Sequence, residues 1–250
     1  FVILSSGCDP DGYSCNLEGC YVDDNNPQFQ TLEDCNSLCD EAQEPGSCGS
    51  PILHDGYIYS TVLIGDQCWF SENCRYLPSV SSSSVGSETS PYYYVYGYQG
   101  TVIESITLLD VEEAQATANY ATYGVLYNWP AVMTEGICPS GWHIPSDGEW
   151  TQLTDFLGGE GVAGGKMKEA GYDHWNSPNE GATNSSGFTG LPSGLRYSGG
   201  FSPYGNFGGW WSTSESGSES WTRSLSNVTD YVTRYDYYRN DGFSARCVRD

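Results

Sequence analysis

Histidine, cysteine and carboxylate side chains carry the chemistry available to this sequence, and their spacing limits what that chemistry is. A general base is most often a histidine set beside a nucleophile or a partner acid. His54, His143 and His174 are far apart in sequence, and no patterned Ser or Cys nucleophile lies near any of them. His143 follows Trp142 within a motif and reads as a hydrogen-bonded structural residue. Neither G-x-S-x-G nor H-E-x-x-H occurs. GEGVAG at 159–164 matches G-x-G-x-x-G, but it follows a helix pattern where a dinucleotide loop needs a strand. Glu112 and Glu113 are adjacent, point apart on a helix, and cannot flank a glycosidic bond. No catalytic residue is assigned, and the chain is expected not to be an enzyme.

Ten cysteines, an even number, point to an oxidising compartment and about five disulfides. Six of them, Cys8, Cys15, Cys20, Cys35, Cys39 and Cys48, crowd a segment too small to bury a core of its own, so disulfides are expected to staple it. Their spacing is a poor match to short C-x2-C zinc knuckles. Cys68 and Cys74 are close enough for a local disulfide. The 250 residues hold 32 acids and 9 bases, a formal charge of -23. That balance excludes a nucleic-acid partner, which needs a basic footprint. It favours solubility, with calcium as the one ion that the acids would serve. No cofactor is expected otherwise. No run approaches the ~20 apolar residues of a membrane span. Phe1 reads as a mature terminus, and the protein as secreted or displayed at the cell surface.

The elements that must position these residues come next. Ser146 and Glu149 form an S-x-x-E capping box, and Trp150, Leu153, Phe156 and Leu157 fall on one face of the helix behind it. Gly158 and Gly159 offer its left-handed stop. Three parts are expected: an apolar strand at 1–7, a small Cys-rich module at 8–48 and a main domain at 49–250. Phe1, Val2, Ile3, Leu4, Ser5 and Ser6 read as a strand of their own domain, a remnant of processing, or a strand donated to a neighbouring subunit. YSCNLEGCYV reads as a hairpin, and TLEDCNSLC as a short helix capped by Thr31. DGYIYSTVLIGDQCWF reads as a hairpin turning near Gly65-Asp66. Tyr92, Tyr93, Tyr94, Tyr96 and Tyr98 either divide between core and surface or offer a face for sugars or subunits. Asp110 to Ala118 reads as a short helix. Beyond residue 158, short strands and turns are expected rather than long elements. The tryptophans Trp129, Trp142, Trp150, Trp210, Trp211 and Trp221 read as core. Asn184 and Asn227 match N-glycosylation acceptors.

GVLYNWPAV, CPSGWHIPSDGEW, AGGKMKEAGYDHW, ATNSSGFTGLPSGLRY, GGWWSTSES and GFSARCVRD occur in that order. Through them the chain resembles the fibrobacter major paralogous domain (FISUMP) family from about residue 56 to 250, with residues 80–123 as an elaboration. The resemblance implies a secreted or surface module and assigns it no activity. A more distant likeness connects the fold to the formylglycine-generating and C-type-lectin-like group, with its W-H/R-x-P-s-x-x-E-W helix start and closing G-F-x-x-R strand. That likeness implies an α+β domain of short antiparallel strands with one or two amphipathic helices, and a disulfide between Cys138 and Cys247. It carries over no copper-binding cysteine pair, because no cysteine lies between those two. The lectin group's Glu-Pro-Asn calcium signature is also absent, and WNSPNE at 175–180 resembles it only loosely.

Two functions are compatible with this reading. One is a structural subunit of an extracellular filament, whose partners are copies of itself joined through Phe1–Ser6. The other is a carbohydrate-binding adhesin with glycan partners, using exposed aromatic faces and calcium.

Overall fold

A computed structural model of the chain describes residues 48–104 and 106–250, together with the backbone of the strands Tyr13–Asn16 and Gly19–Val22. The segment Phe1–Ser6, the helix expected from Thr31, and the side chains of Cys8, Cys15, Cys20, Cys35 and Cys39 lie outside the described residues. The chain divides into two compact units, Phe1–Thr61 and Val62–Asp250. Its architecture is α+β, with short helices and many short antiparallel strands.

In the first unit, Tyr13–Asn16 pairs antiparallel with Gly19–Val22, and Cys15 faces Cys20 in register. A second hairpin joins Ile52–His54 to Tyr57–Tyr59. Its two-residue turn, Asp55-Gly56, has positive φ at both positions (49° and 74°), the tight-turn geometry that an Asp-Gly pair favours.

The second unit is built around the capped helix Asp147–Phe156. Its capping box is formed in both directions, between Ser146 and Glu149. Trp150, Leu153 and Leu157 are buried, and join Trp69, Trp175, Phe188, Trp210 and Leu225 in one core. The indoles of Trp69 and Trp150 are 4.8 Å apart, and Phe188 meets Trp210 edge-on at 5.4 Å. Each such buried side chain contributes roughly 1.5–3 kcal/mol. Phe156 departs from the expected buried face. It is 64 % exposed and lies over Gly65, at the margin of the apolar stripe.

Two sheets flank the helix. In one the strand order is Trp142–His143, Val248–Arg249, Gln67–Phe70, Thr61–Ile64, and the last two flank the expected turn at Gly65-Asp66. The other is an antiparallel meander of Phe207–Ser216, Glu219–Ser226 and Thr233–Tyr238. The expectation of only short elements beyond residue 158 is therefore corrected: Phe207–Ser216 spans 10 residues. Its buried Gly208, Gly209, Trp210 and Trp211 hide the alternation that marks a half-exposed strand.

A helix over Glu160–Met167 was also not expected, because Gly161, Gly164 and Gly165 are poor helix formers. Packing explains the last two. A Cβ on Gly164 would lie 2.3 Å from the Tyr231 carbonyl oxygen, and one on Gly165 would lie 2.4 Å from that of Gly181. The helix expected at Asp110 to Ala118 is two: Val111–Gln115, capped by Asp110, and Ala118–Tyr123, capped by Thr117. A third short helix, Trp129–Val132, is capped by Asn128.

Candidate functional site

An open cleft of about 440 Å³ lies where the capped helix begins. Its walls include Val132 and Met133 at the end of one helix, Ile137 and Cys138 in the following loop, and Trp142 and His143 on the short strand. Thr213 completes it from the long strand, where the register shifts between Trp211 and Glu215. The irregularity re-aims the backbone, as bulges do beside functional sites. It lets Thr213 N–H donate to Pro145 O at 3.0 Å, and Ser214 Oγ accept from Asp147 N–H at 3.0 Å.

His143 is held at both ring nitrogens. Nδ1 meets Asp250 Oδ1 at 2.5 Å, and Nε2 meets Glu149 Oε1 at 2.7 Å. Glu149 Oε2 accepts from the Ser146 N–H and hydroxyl, both at 2.7 Å. Partial burial opposes the charge on His143, but the two carboxylates outweigh it and raise its pKa. The same contacts overcome the desolvation of Glu149 and lower its pKa. With a carboxylate at each ring nitrogen, His143 ties the helix start to residue 250, and in its protonated form it donates to both.

Asp147, the first residue of the helix, holds a second clamp. Its Oδ1 accepts from Arg223 Nη1 at 2.7 Å and Arg234 Nε at 2.9 Å, and its Oδ2 from Arg234 Nη2 at 2.9 Å. Arg234 lies 3.4 Å over the Trp221 ring. Burial would raise the Asp147 pKa, but the two guanidiniums lower it. Helix and meander are thereby joined through one carboxylate.

Five of the nine basic residues, Arg75, Lys168, Arg196, Arg223 and Arg246, are buried. Lys168 Nζ donates to the carbonyls of Glu180, Ser226 and Thr229 at 2.7, 2.9 and 2.7 Å, and desolvation pushes its pKa down to about 8. Arg246 lies 3.9 Å over Phe188, donates to the carbonyls of Phe70, Phe188 and Thr189, and is lowered to about 9 by desolvation. These cations organise loops around backbone carbonyls.

Behind the cleft lie three sulfurs. Cys138 and Cys247 form a disulfide. Cys74 is a free, buried thiol whose Sγ is 3.5 Å from Cys247 Sγ, and all three sulfurs lie within 4.8 Å of one another. Among the described residues no other group of three His, Cys, Asp or Glu ligands converges in this way. The local pair expected between Cys68 and Cys74 is corrected, since Cys74 points to the closing strand instead. Cys48 and Cys68 are each disulfide-bonded. With Cys74 free, nine cysteines remain and the five disulfides expected become four at most.

A family model described as the Fibrobacter succinogenes major domain matches residues 62–249. The chain belongs to this family. The match starts where the second compact unit starts, six residues later than the resemblance in sequence had placed it. No curated protein and no solved structure gives a significant match. Within the Fibrobacter domain the motifs hold the clamps: WHIPSDGE carries His143, Asp147 and Glu149, GGKMK carries Lys168, and GFSARC carries Arg246 and Cys247.

Other expected site residues of the Fibrobacter domain fall differently. Tyr93, Tyr94 and Tyr98 are buried, which removes them from a glycan or subunit face. Their hydroxyls meet Thr134, the Val85 carbonyl and Glu113. Tyr92 and Tyr96 are half-buried, and Tyr96 donates to Ser202 O. Asn227 is buried and donates to Ser177 O, so its amide is not available to a glycosyl group. Asn184 is half-buried, and both ends of its amide are engaged by Thr189. His174 pairs with Glu169 at 2.9 Å, and His54 lies beside the Tyr59 ring. No helix among the described residues is long and apolar enough to cross a membrane. The Cys138–Cys247 disulfide implied by the resemblance is present, whereas sequence reasoning missed Asp147, Lys168, Arg246 and the place of Cys74 beside that disulfide. The scarcity of bases was the available signal, because a base in an acidic chain is conspicuous when it sits among glycines and aromatics.

Proposed function

We propose that the protein is a secreted, non-enzymatic structural subunit that assembles with copies of itself by strand addition. The observation that carries this reading is the hairpin Thr101–Ile103 paired with Ile106–Leu108. It forms a sheet of two strands only, and Val102, Ile103, Ile106, Leu108 and Leu109 are exposed along it, Val102 by 67 %. An exposed apolar ribbon with free edges is a template for another strand. Charge narrows the choice of occupant. Copies that each carry -23 repel, so they meet on uncharged surface. Residues 101–109 contain one charged side chain, Glu104, and the FVILSS of Phe1–Ser6 contains none. The occupant is therefore Phe1–Ser6 of the next copy. The contact is heterologous and propagates as a filament. The finer fold assignment, a C-type-lectin-like and formylglycine-generating-like domain, belongs to the same proposal. It is supported by the disulfide that ties the closing strand to the segment before the capped helix.

Negative-stain microscopy and sedimentation test the assembly. The full chain is expected to form filaments, and deletion of residues 1–6, or Val102→Lys with Ile106→Lys, to leave monomers. A truncated chain that assembles as well as the parent sinks the proposal. The adhesin reading has its own support in Tyr231, Tyr235 and Tyr238, exposed on and beside an edge strand of the meander. Retention on a glycan array that is lost in Tyr235→Ala would favour it.

A further inference from the structure

We propose that Cys74 and the Cys138–Cys247 disulfide form an exchange relay that delivers a reactive thiol to the cleft at Cys138, where it takes soft electrophiles and the disulfides of a partner. Three observations carry this. The Cys74 thiol is in contact with Cys247, 3.5 Å away. With all three sulfurs within 4.8 Å of one another it lies beside the S–S bond, so attack needs the side chain to swing into line with that bond as well as to close by about 1.5 Å. Cys138, the other half of the disulfide, is half-buried and lines the cleft, whereas Cys74 and Cys247 are fully buried. The sulfur that leaves is thus the one that can meet a reagent.

The exchange balances without an oxidant or reductant. The thiolate of Cys74 attacks Cys247 Sγ, the Cys74–Cys247 bond forms as the Cys138–Cys247 bond breaks, and the electron pair departs on Cys138. The proton shed by Cys74 passes to solvent, and Cys138 takes one up according to its own acidity. Burial pushes the Cys74 thiol up to about 12, against the attraction of the Arg246 and Arg75 guanidiniums, which keeps its thiolate scarce and the exchange slow. The exchange moves the ionisable sulfur from the core to a wall that also carries the His143 side chain. Once free, the Cys138 thiolate attacks an incoming disulfide, forming a mixed disulfide and expelling the partner's second sulfur as a thiolate.

Iodoacetamide trapping of the native full chain, followed by digestion without reduction and peptide mapping, tests this. The expected product carries the label on Cys138 and a new Cys74–Cys247 linkage, and it forms at a rate that stops rising with reagent concentration. Cys74→Ser, or Cys74→Ala where the serine variant does not fold, is expected to lower Cys138 labelling at least about tenfold, because the disulfide then has no internal attacker. Cys138→Ser is expected to hold a Cys74–Cys247 disulfide when made under oxidising conditions. The proposal is overturned if Cys138 stays unlabelled in the native chain while denaturation exposes Cys74. It is also overturned if the Cys74 variants label as fast as the parent, or if Cys138→Ser keeps both remaining thiols free.

Discussion

Asp147→Ala separates the work of one carboxylate from the rest of the helix start. The side chain serves two guanidiniums of unequal burial. The Arg234 side chain is 34 % exposed, and its pair at this water-accessible edge contributes at most ~1 kcal/mol. Arg223 is buried, and removing its counter-charge leaves a cation in the core, which in comparable sites costs roughly 3–5 kcal/mol. Three neutral acceptors remain for it, the carbonyls of Asp147 and Thr222 and the Thr151 hydroxyl, so the lower end applies. Loss of an acid from the first helical turn removes a few tenths more. The expected destabilisation is about 4 kcal/mol, read at pH 7 as a lower urea midpoint by tryptophan fluorescence with an unchanged slope. The companion variant decides the cause. Arg223→Met on top of Asp147→Ala removes the stranded cation, together with an Nε that is buried without a hydrogen-bond partner. It is expected to recover about half of the loss, since a pair removed together costs less than a pair broken. A single variant that loses under about 1 kcal/mol, or a double variant worse than the single, would falsify the burial argument.

His143 makes stability pH-dependent in a defined sense. Its folded pKa is raised above 6.5, so its contribution is full below that value and is lost as pH rises through the folded pKa; His143→Gln should flatten the fall of the urea midpoint between pH 6 and 8. Lys168 runs the other way: its folded pKa is depressed from 10.5 to about 8, so the folded chain sheds the proton first and stability from this group rises with pH across that window, an effect absent from Lys168→Met. Gly164→Ala places a methyl 2.3 Å from the Tyr231 carbonyl and should cost at least ~2 kcal/mol despite the better helix propensity of alanine; a neutral result in thermal melts would show that the segment around Tyr231 yields easily.

The capped helix was legible because its signals are local: a Ser and a Glu three residues apart, apolar residues on one face, glycines after the end. The hairpin at Gly65-Asp66 was legible for the same reason, since turn chemistry sits in two adjacent residues, and Asp55-Gly56 carried the same signal unread. The long strand Phe207–Ser216 was not, because burial on both faces erases alternation, and its neighbour is set by pairing across the meander. Gly164 and Gly165 were misleading. Their purpose is the approach of another segment's carbonyls, which leaves no trace in their own neighbourhood. The tyrosines of 92–98 were legible only as a choice between core and contact face, since aromatic residues are alike in sequence whether they face the core or water; Tyr93, Tyr94 and Tyr98 are core. The clamps on His143 and Asp147 join residues 107 and 76–87 positions apart, beyond the reach of any spacing rule.

Lys168 has one more consequence. Three backbone carbonyls converging within 2.9 Å of a single cation is the arrangement by which many loops hold a metal ion, yet here the cation is covalently part of the chain. It cannot be chelated and does not depend on the metal ions that the surroundings supply. The segment from Glu180 to Thr229 therefore keeps its organisation in ion-poor water as in ion-rich water. A domain built this way keeps its loops set whatever the mineral content around it.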